Sequence, residues 1–136
     1  MAYIDSNVFI YPVLYGAENN EKARNAKEIL LKIEEGELKA YTSTLTWDEV
    51  VWVVSRVMGR DDGASQGRKL LGFPNLELIE ADARVLSSAQ NLLERYMVPP
   101  RDSIHLASAI VRNVRIVVSD DEDFDKVKEI ERKPLT

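Results

Sequence analysis

Short apolar runs that lead into an acid alternate along this chain with stretches carrying apolar residues at helical spacing. That alternation limits the fold more than any other feature. Ala2-Tyr3-Ile4 leads into Asp5, Leu38-Lys39-Ala40-Tyr41-Thr42 alternates as a strand, and Leu76-Glu77-Leu78-Ile79 reads as another. Arg115-Ile116-Val117-Val118 reads as a buried strand and leads into Asp120, Asp121 and Asp123. Between these runs, Glu21 to Glu35 carries Ala23, Ala26, Ile29, Leu30 and Ile33 on one helical face and is stopped by Gly36. A second helix, capped by Thr44 or Thr46, is predicted to bury Trp47, Val50, Val51, Val54, Val57 and Met58. Gly59 to Gly63 is expected to turn, a short helix to run to Leu71, and Gly72-Phe73-Pro74-Asn75 to break it. Asp82 caps a helix whose apolar stripe is Val85, Leu86, Ala89, Leu92, Leu93 and Tyr96. After Pro99-Pro100, Asp102 is expected to cap a helix of Ile104 to Val111. Strands and helices joined by short connections imply right-handed crossovers. The expected fold is a three-layer α/β/α arrangement around a central parallel sheet.

The 136 residues fit one domain, 1–136, with no internal repeat or long linker. Without cysteine there is no disulfide framework, thiolate zinc site or cysteine nucleophile. The first residues go straight into a strand-like run, leaving no signal peptide, and no apolar stretch is long enough for a membrane span, so the cytoplasm is the expected location. Eighteen basic against twenty-three acidic residues give a net charge of −5, which argues against nucleic-acid binding by broad electrostatics alone. An enzyme whose acids are masked by metal escapes that objection. His105 is the single histidine and lies in an apolar helix, so a His-rich metal site is excluded and the residue reads as a packing histidine. Neither GxxxxGK[ST] nor GxGxxG is present.

The acids then carry the chemistry. Asp5, Glu49, Asp102 and the 120–123 cluster are far apart in sequence, each just past a strand-like run or at the start of a helix. In an open α/β sheet, ligands bind beyond the carboxyl ends of the strands, where these residues would converge. Carboxylates gathered without a counter-ion repel. Hard divalent cations remove that repulsion, and an oxygen-only donor set suits Mg²⁺ or Mn²⁺. Such ions activate water and stabilise the attacking and leaving oxygens of a phosphodiester, so three or four acids suffice for hydrolysis without a protein nucleophile. Ser6, Asn7 and Ser119 lie beside the acids and are expected to hold a carboxylate or a bound water in place. Each acid has a plainer reading. Asp102 can be an N-cap, Glu49 or its neighbour Asp48 a helix acid favoured by the macrodipole, and 120–125 a solvated turn. Asp5 is least easily dismissed, because an acid between Ala2-Tyr3-Ile4 and Val8-Phe9-Ile10 sits near the core and needs a partner.

Four segments taken in order carry a resemblance that covers essentially the whole chain: Ile4-Asp5-Ser6-Asn7-Val8-Phe9-Ile10, Ser43-Thr44-Leu45-Thr46-Trp47-Asp48-Glu49-Val50, Pro99-Pro100-Arg101-Asp102-Ser103-Ile104-His105-Leu106-Ala107-Ser108-Ala109, and Val118-Ser119-Asp120-Asp121-Glu122-Asp123-Phe124. Together they resemble the PIN-domain ribonucleases, and within these the VapC-type toxins of prokaryotic toxin-antitoxin pairs. The resemblance implies metal-dependent RNA cleavage by Asp5, Glu49 and Asp102. Aligned on Ser119 and Phe124, it places a fourth acid at Asp121 and an auxiliary metal-binding acid at Asp123, while Asp120, Glu122 and Asp48 crowd the same two places. It also implies a small antitoxin whose segment crosses the active-site groove and sets a basic side chain among the carboxylates. Aromatic and apolar surface in the first half of the chain, with Trp52 and Val53 off the buried side of their helix, predicts a homodimer. Two other readings stand beside this one: a catalytically inactive PIN-like binding or scaffold domain, and a carboxylate-metal DNA nuclease.

Overall fold

Tyr3 lies at the middle of strand β1 (Ala2–Ile4), every residue of which is buried. In the computed structural model, which describes residues 1–136, β1 is also the middle strand of the sheet. β2 (Ala40–Ser43) pairs with it on one side and β4 (Ile116–Val118) on the other. β3 (Leu76–Ile79) extends the sheet beyond β2, and β5 (Glu131–Lys133) beyond β4. All four pairings are parallel, in the order β3-β2-β1-β4-β5. The chain therefore starts in the centre, builds outward to β3, and returns to the other side of β1. That reversal puts the topological switch point at the carboxyl ends of β1 and β4, where such sheets bind ligands.

Six helices connect the strands and cover both faces: α1 (Ser6–Leu14), α2 (Glu21–Glu34), α3 (Thr44–Met58), α4 (Arg60–Leu71), α5 (Ala83–Tyr96) and α6 (Pro100–Val111). The period of two along each strand divides the core. Tyr3, Tyr41 and Val117 pack with Val85, Leu92 and Leu106 of α5 and α6. Ala2, Ile4, Ala40 and Val118 pack with Val8, Ala26 and Val50 of α1, α2 and α3. The expected three-layer parallel arrangement is what forms. No helix is long and apolar enough to cross a membrane.

Several local expectations change. The cap of α3 is Ser43, whose hydroxyl accepts the Leu45 N–H at 3.0 Å. Thr46 is instead buried, with its hydroxyl 2.6 Å from that of Thr42. Only Val50 and Val54 of the expected α3 stripe are fully buried, while Trp47, Val57 and Met58 remain exposed because the partner helix α4 covers a narrower strip than the apolar composition suggests. No turn extends to Gly63: Gly59, at φ +106°, alone ends α3 and starts α4, and Asp61 and Asp62 favour the new helix from its first turn. Leu86 is exposed on α5. The helix expected from Ile104 begins at Pro100, capped by the Pro99 backbone, so Asp102 lies inside the first turn and is not the cap. α1 and β5 are additions to the elements read from the sequence.

The α3–α4 pair depends on absent side chains. A methyl group at Gly67 would lie 2.7 Å from Val51 Cγ2 and 2.9 Å from Trp47 Nε1, and one at Gly63 would fall on the Ser55 hydroxyl. Alanine would add about 0.5–1 kcal/mol of helix preference, whereas overpacking costs roughly 1–3 kcal/mol, so packing decides the sign. Gly67→Ala is expected to lower stability by about 1–2 kcal/mol, read as an earlier urea midpoint at unchanged slope; a later midpoint would mean that the two helices separate freely.

Candidate metal centre

Asp5 follows the last residue of β1 and is the N-cap of α1, its Oδ1 accepting the Ser6 N–H at 2.7 Å. Only 5% of it is exposed. Its other oxygen, Oδ2, accepts from the Ser119 hydroxyl at 2.6 Å and from the Asn7 amide at 3.2 Å. Ser119 sits just beyond β4 and is itself fully buried. Its hydroxyl oxygen also accepts the Asp121 N–H at 3.0 Å, so one side chain ties the β1 acid to the acidic turn. Ser6, Asn7 and Ser119 thus occupy the supporting positions expected of them, with Ser6 acting mainly through its backbone; its hydroxyl is 3.5 Å from Asp5 Oδ1.

The acidic turn is held by hydrogen bonds at one side, while Glu122 and Asp125 are solvated as the plainer reading expects. Asp121 caps a single 3₁₀ turn, Glu122–Lys126, by accepting the Asp123 N–H at 2.9 Å, and Phe124 anchors the turn in the core. Asp102 of α6 faces it. Carboxylate oxygens of Asp102, Asp121 and Asp123 lie within 4.8 Å of one another. Asp123 also pairs with Lys126 at 3.2 Å. Asp120 is turned elsewhere: it accepts from the Tyr11 hydroxyl at 2.8 Å and pairs with Lys22 at 2.9 Å, fastening α1 and α2 to the end of β4. Burial and then the Asp120 contact raise the Tyr11 phenol's pKa, so it stays a donor. Glu122 is exposed.

Glu49 and Asp5 do not join the three clustered acids directly. They meet at His105, a residue that the sequence presents as ordinary packing. The imidazole is buried; its Nε2 lies 2.5 Å from Glu49 Oε1 and 3.5 Å from Asp5 Oδ1, while its Nδ1 meets the Tyr3 hydroxyl at 2.6 Å. A phenol both donates and accepts, so the contact survives either protonation state of the ring. Burial and then the charge of Asp5 hold Tyr3 protonated. His105 is the functional residue that sequence reasoning passed over, and its position three residues after Asp102, hence on one helical face with it, was the available signal. Asp48, the competitor of Glu49, does not contact His105 and lines a small cavity that Glu49 also borders.

The electrostatics fit a divalent cation. Asp102 is pushed up to about 7 by desolvation, then by the charge of Asp121 and a shared hydrogen bond with it, so the pair retains a proton near neutrality. Burial likewise raises Asp5, against the opposing pull of His105 and Ser119. His105 is raised although burial opposes its charge, because Glu49, Asp5 and Asp102 surround it. An all-oxygen set of this kind has the chemistry of a hard divalent cation's donors, and Asp102, Asp121 and Asp123 are the residues that could hold one.

An α/β fold with acids gathered at the carboxyl ends of its strands is the setting for the comparisons with known proteins. The PIN domain family matches residues 2–130, and the chain belongs to that family. Among solved structures it is similar to VapC20 of Mycobacterium tuberculosis, described as a Sarcin-Ricin loop cleaving toxin, with TM-score 0.74 at 14% identity over 92% of this chain and 93% of that one. It is also similar to a chain of VapBC2 from Rickettsia felis bound to a promoter DNA fragment (TM-score 0.70, 19% identity, 98% of each chain). A third likeness is to FitAcB of Neisseria gonorrhoeae (TM-score 0.69, 17% identity, 97% and 96% of the chains). At these identities the likeness is one of fold. No curated protein matches.

The raised acids give a pH dependence. A carboxyl or imidazole whose pKa is higher folded than unfolded stabilises below its unfolded value and loses that contribution as pH rises through the folded value. Asp102, Asp5 and His105 all have this sign. Metal-free protein is therefore expected to melt at lower temperature as pH rises from about 4 to about 7, the window set by Asp102. Asp102→Asn should flatten the slope, and Mg²⁺ or Mn²⁺ should restore stability at pH 8. A melting temperature that climbs across this window in chelator would refute the electrostatic reading.

Proposed function

We propose that this chain is a metal-dependent endoribonuclease, the toxin of a toxin-antitoxin pair acting in the cytoplasm. The observation that carries the reading is the convergence of Asp102, Asp121 and Asp123 on one point beside the buried Asp5, at the sheet's switch point. RNA is the substrate on the strength of the Sarcin-Ricin loop cleavage described for the Mycobacterium tuberculosis relative. When bound, a divalent cation supplies Lewis acidity and orients the scissile phosphate and water. The chain's own part is to hold that centre in place. Ser119 fixes Asp5 and Asp121 in one geometry, the N-terminus of α1 stabilises the Asp5 charge, and His105 keeps Glu49 and Asp5 on a common axis. Glu49, largely buried and held by the His105 imidazole, is given the role of accepting a proton from water.

The antitoxin has a place on the surface. An apolar groove of about 430 Å³ lies between α1, α2 and the α3–α4 pair, walled by Phe9, Val13, Leu30, Leu31, Leu70 and Phe73. It suits the apolar face of an amphipathic helix. α1 runs from Asp5 to this groove over nine residues, about 13 Å. Four or five extended residues, at roughly 3.3 Å each, would carry a basic side chain from the groove to the carboxylates. A chain of similar fold is part of a toxin-antitoxin complex from Klebsiella pneumoniae. The homodimer is assigned to the apolar surface of α3, where Val57 and Met58 are exposed along with Trp52, the contact suggested by the sequence.

Asp5→Asn or Asp102→Asn is expected to reduce Mn²⁺-dependent cleavage of an RNA pool by at least about a hundredfold without loss of fold, and neither protein should cleave matched DNA. Asp121→Asn should impair cleavage far more than Asp120→Asn or Glu122→Gln. Parent-level cleavage by Asp5→Asn in clean metal would remove the metal-site reading.

For assembly, sedimentation at tens of micromolar should give a dimer that Val57→Ser with Met58→Ser converts to monomer. The product of the neighbouring gene should bind and inhibit, and Leu31→Glu in the groove should weaken that complex. A parent monomer would discard the dimer. Failure of the neighbour to bind would discard the antitoxin.

A further inference from the structure

A second, smaller cavity adjoins the acidic centre. It has a volume of about 120 Å³ and is lined by Ser6, Ile10, Asp48, Glu49, Trp52, Val53 and Arg101. At about 30 Å³ per water it holds roughly four, the space of a single ring rather than of a whole cofactor. Its walls come from three helices that also carry the site: α1 begins at Asp5, α3 carries Glu49, and α6 carries Asp102. On α3, Glu49, Trp52, Val53 and Arg56 fall at i, i+3, i+4 and i+7, so one helical face leads from the carboxylates to an aromatic ring.

Three features distinguish this cavity from an incidental dent. Trp52 is 54% exposed yet held in place, the Arg56 guanidinium lying 4.7 Å from its ring centroid. Arg101 and Asp48 both line the cavity and form no ion pair with each other or with any other residue, so the charged groups of both signs are open to a ligand. The pocket thus presents a stacking surface, a free carboxylate and a free guanidinium around one ring-sized space, next to a proposed phosphodiester-cleaving centre.

We propose that this cavity is a base-recognition subsite for a guanine flanking the scissile phosphate. The inference rests on the ribonuclease reading above. Guanine is the base whose pairing edge places two donors side by side, N1–H and the 2-amino group, matching the two acceptor oxygens of Asp48. Its O6 and N7 form an adjacent pair of acceptors for the Arg101 fork. Adenine puts an acceptor where the carboxylate needs a donor, and the pyrimidines offer one donor at most on that edge. Trp52 supplies stacking that any base can use. Selectivity therefore belongs to Asp48 and Arg101, and general affinity to Trp52.

The test uses the whole protein in chelator and fluorescein-labelled octaribonucleotides of A and U carrying one central G, inosine or A. The G oligonucleotide is expected to bind about tenfold tighter than the A control, and inosine, which lacks the 2-amino donor, to fall between them. Asp48→Ala should erase the G preference while leaving affinity for the A control within about twofold. Trp52→Ala should weaken all three by about tenfold, with Trp52→Phe restoring most of the loss. Equal affinity for G and A, or a G preference that persists in Asp48→Ala, overturns the subsite. The nuclease reading is scored separately, by cleavage in Mn²⁺. G-selective binding without cleavage sinks the nuclease and supports the subsite, whereas cleavage without G-selective binding sinks the subsite alone.

Discussion

A carboxylate buried at the end of the central strand is the constraint around which the rest of this molecule is arranged. Removing an ion from water carries an effective penalty of several kcal/mol even after relaxation. A hydrogen bond to a charged group returns roughly 1.5–3 kcal/mol, so burying Asp5 needs two or three good donors to offset most of that penalty. It has them, each from a different part of the chain: the Ser6 N–H and Asn7 amide at the start of α1, the Ser119 hydroxyl beyond β4, and the His105 imidazole on α6 at longer range. The helix macrodipole of α1 adds to these. Satisfying one charge therefore fixes the mutual placement of β1, α1, β4 and α6. Those are the elements that bring Asp102 and the acidic turn together.

The same arrangement leaves a second electrostatic problem unsolved by the protein alone. Asp102, Asp121 and Asp123 have no arginine or lysine between them apart from Lys126 at the outer edge. Other cations in the fold's ion pairs hold other acids: Lys22 pairs with Asp120, Arg132 with Asp125 and Arg112 with Glu77. Asp120 looks on sequence grounds as good a ligand as Asp121, yet its pairing with Lys22 and Tyr11 makes it a clasp between α1, α2 and β4. A turn with two adjacent aspartates thus divides its labour by direction, one acid outward to a lysine and one inward to the cluster.

How far the sequence was readable depends on the range of the interactions that decide each element. α2 and α5 have a clean apolar stripe and a capping side chain, Asn20 and Asp82, so a window of a dozen residues contains all that forms them. α1 lacks that contrast. Its nine residues are largely apolar, and Pro12 forfeits an internal hydrogen bond, so its helicity follows from the Asp5 cap and the groove it packs in. β5 is invisible for the opposite reason: Glu131, Arg132 and Lys133 carry no apolar pattern, and the strand exists through backbone pairing with β4 at a charged edge. Among the site residues, the acids could be proposed because each follows a recognisable local signal. Their connection through Ser119 to Asp5, across 114 positions, and through His105 to Glu49, across 56, had no local trace. A buried histidine in an apolar helix looks the same whether its ring meets carbon or carboxylate.

Charge balance also bears on how an RNA would be held. A chain of net charge −5 with three acids clustered at its site has little counter-ion release to offer a polyanion. Affinity must then come from a few local contacts rather than from a basic field. The candidates are the cations next to the centre and an exposed aromatic that any base can stack on. Around this site the unpaired cation is Arg101 and the aromatic is Trp52, already braced by Arg56. When so few contacts carry binding, each base-reading contact makes up a large share of the total, and one adjacent carboxylate is enough to bias which base is accepted. Under the proposed ribonuclease reading, selectivity would thus follow from weak general attraction: acids that repel the backbone would leave discrimination to the small cavity beside Glu49.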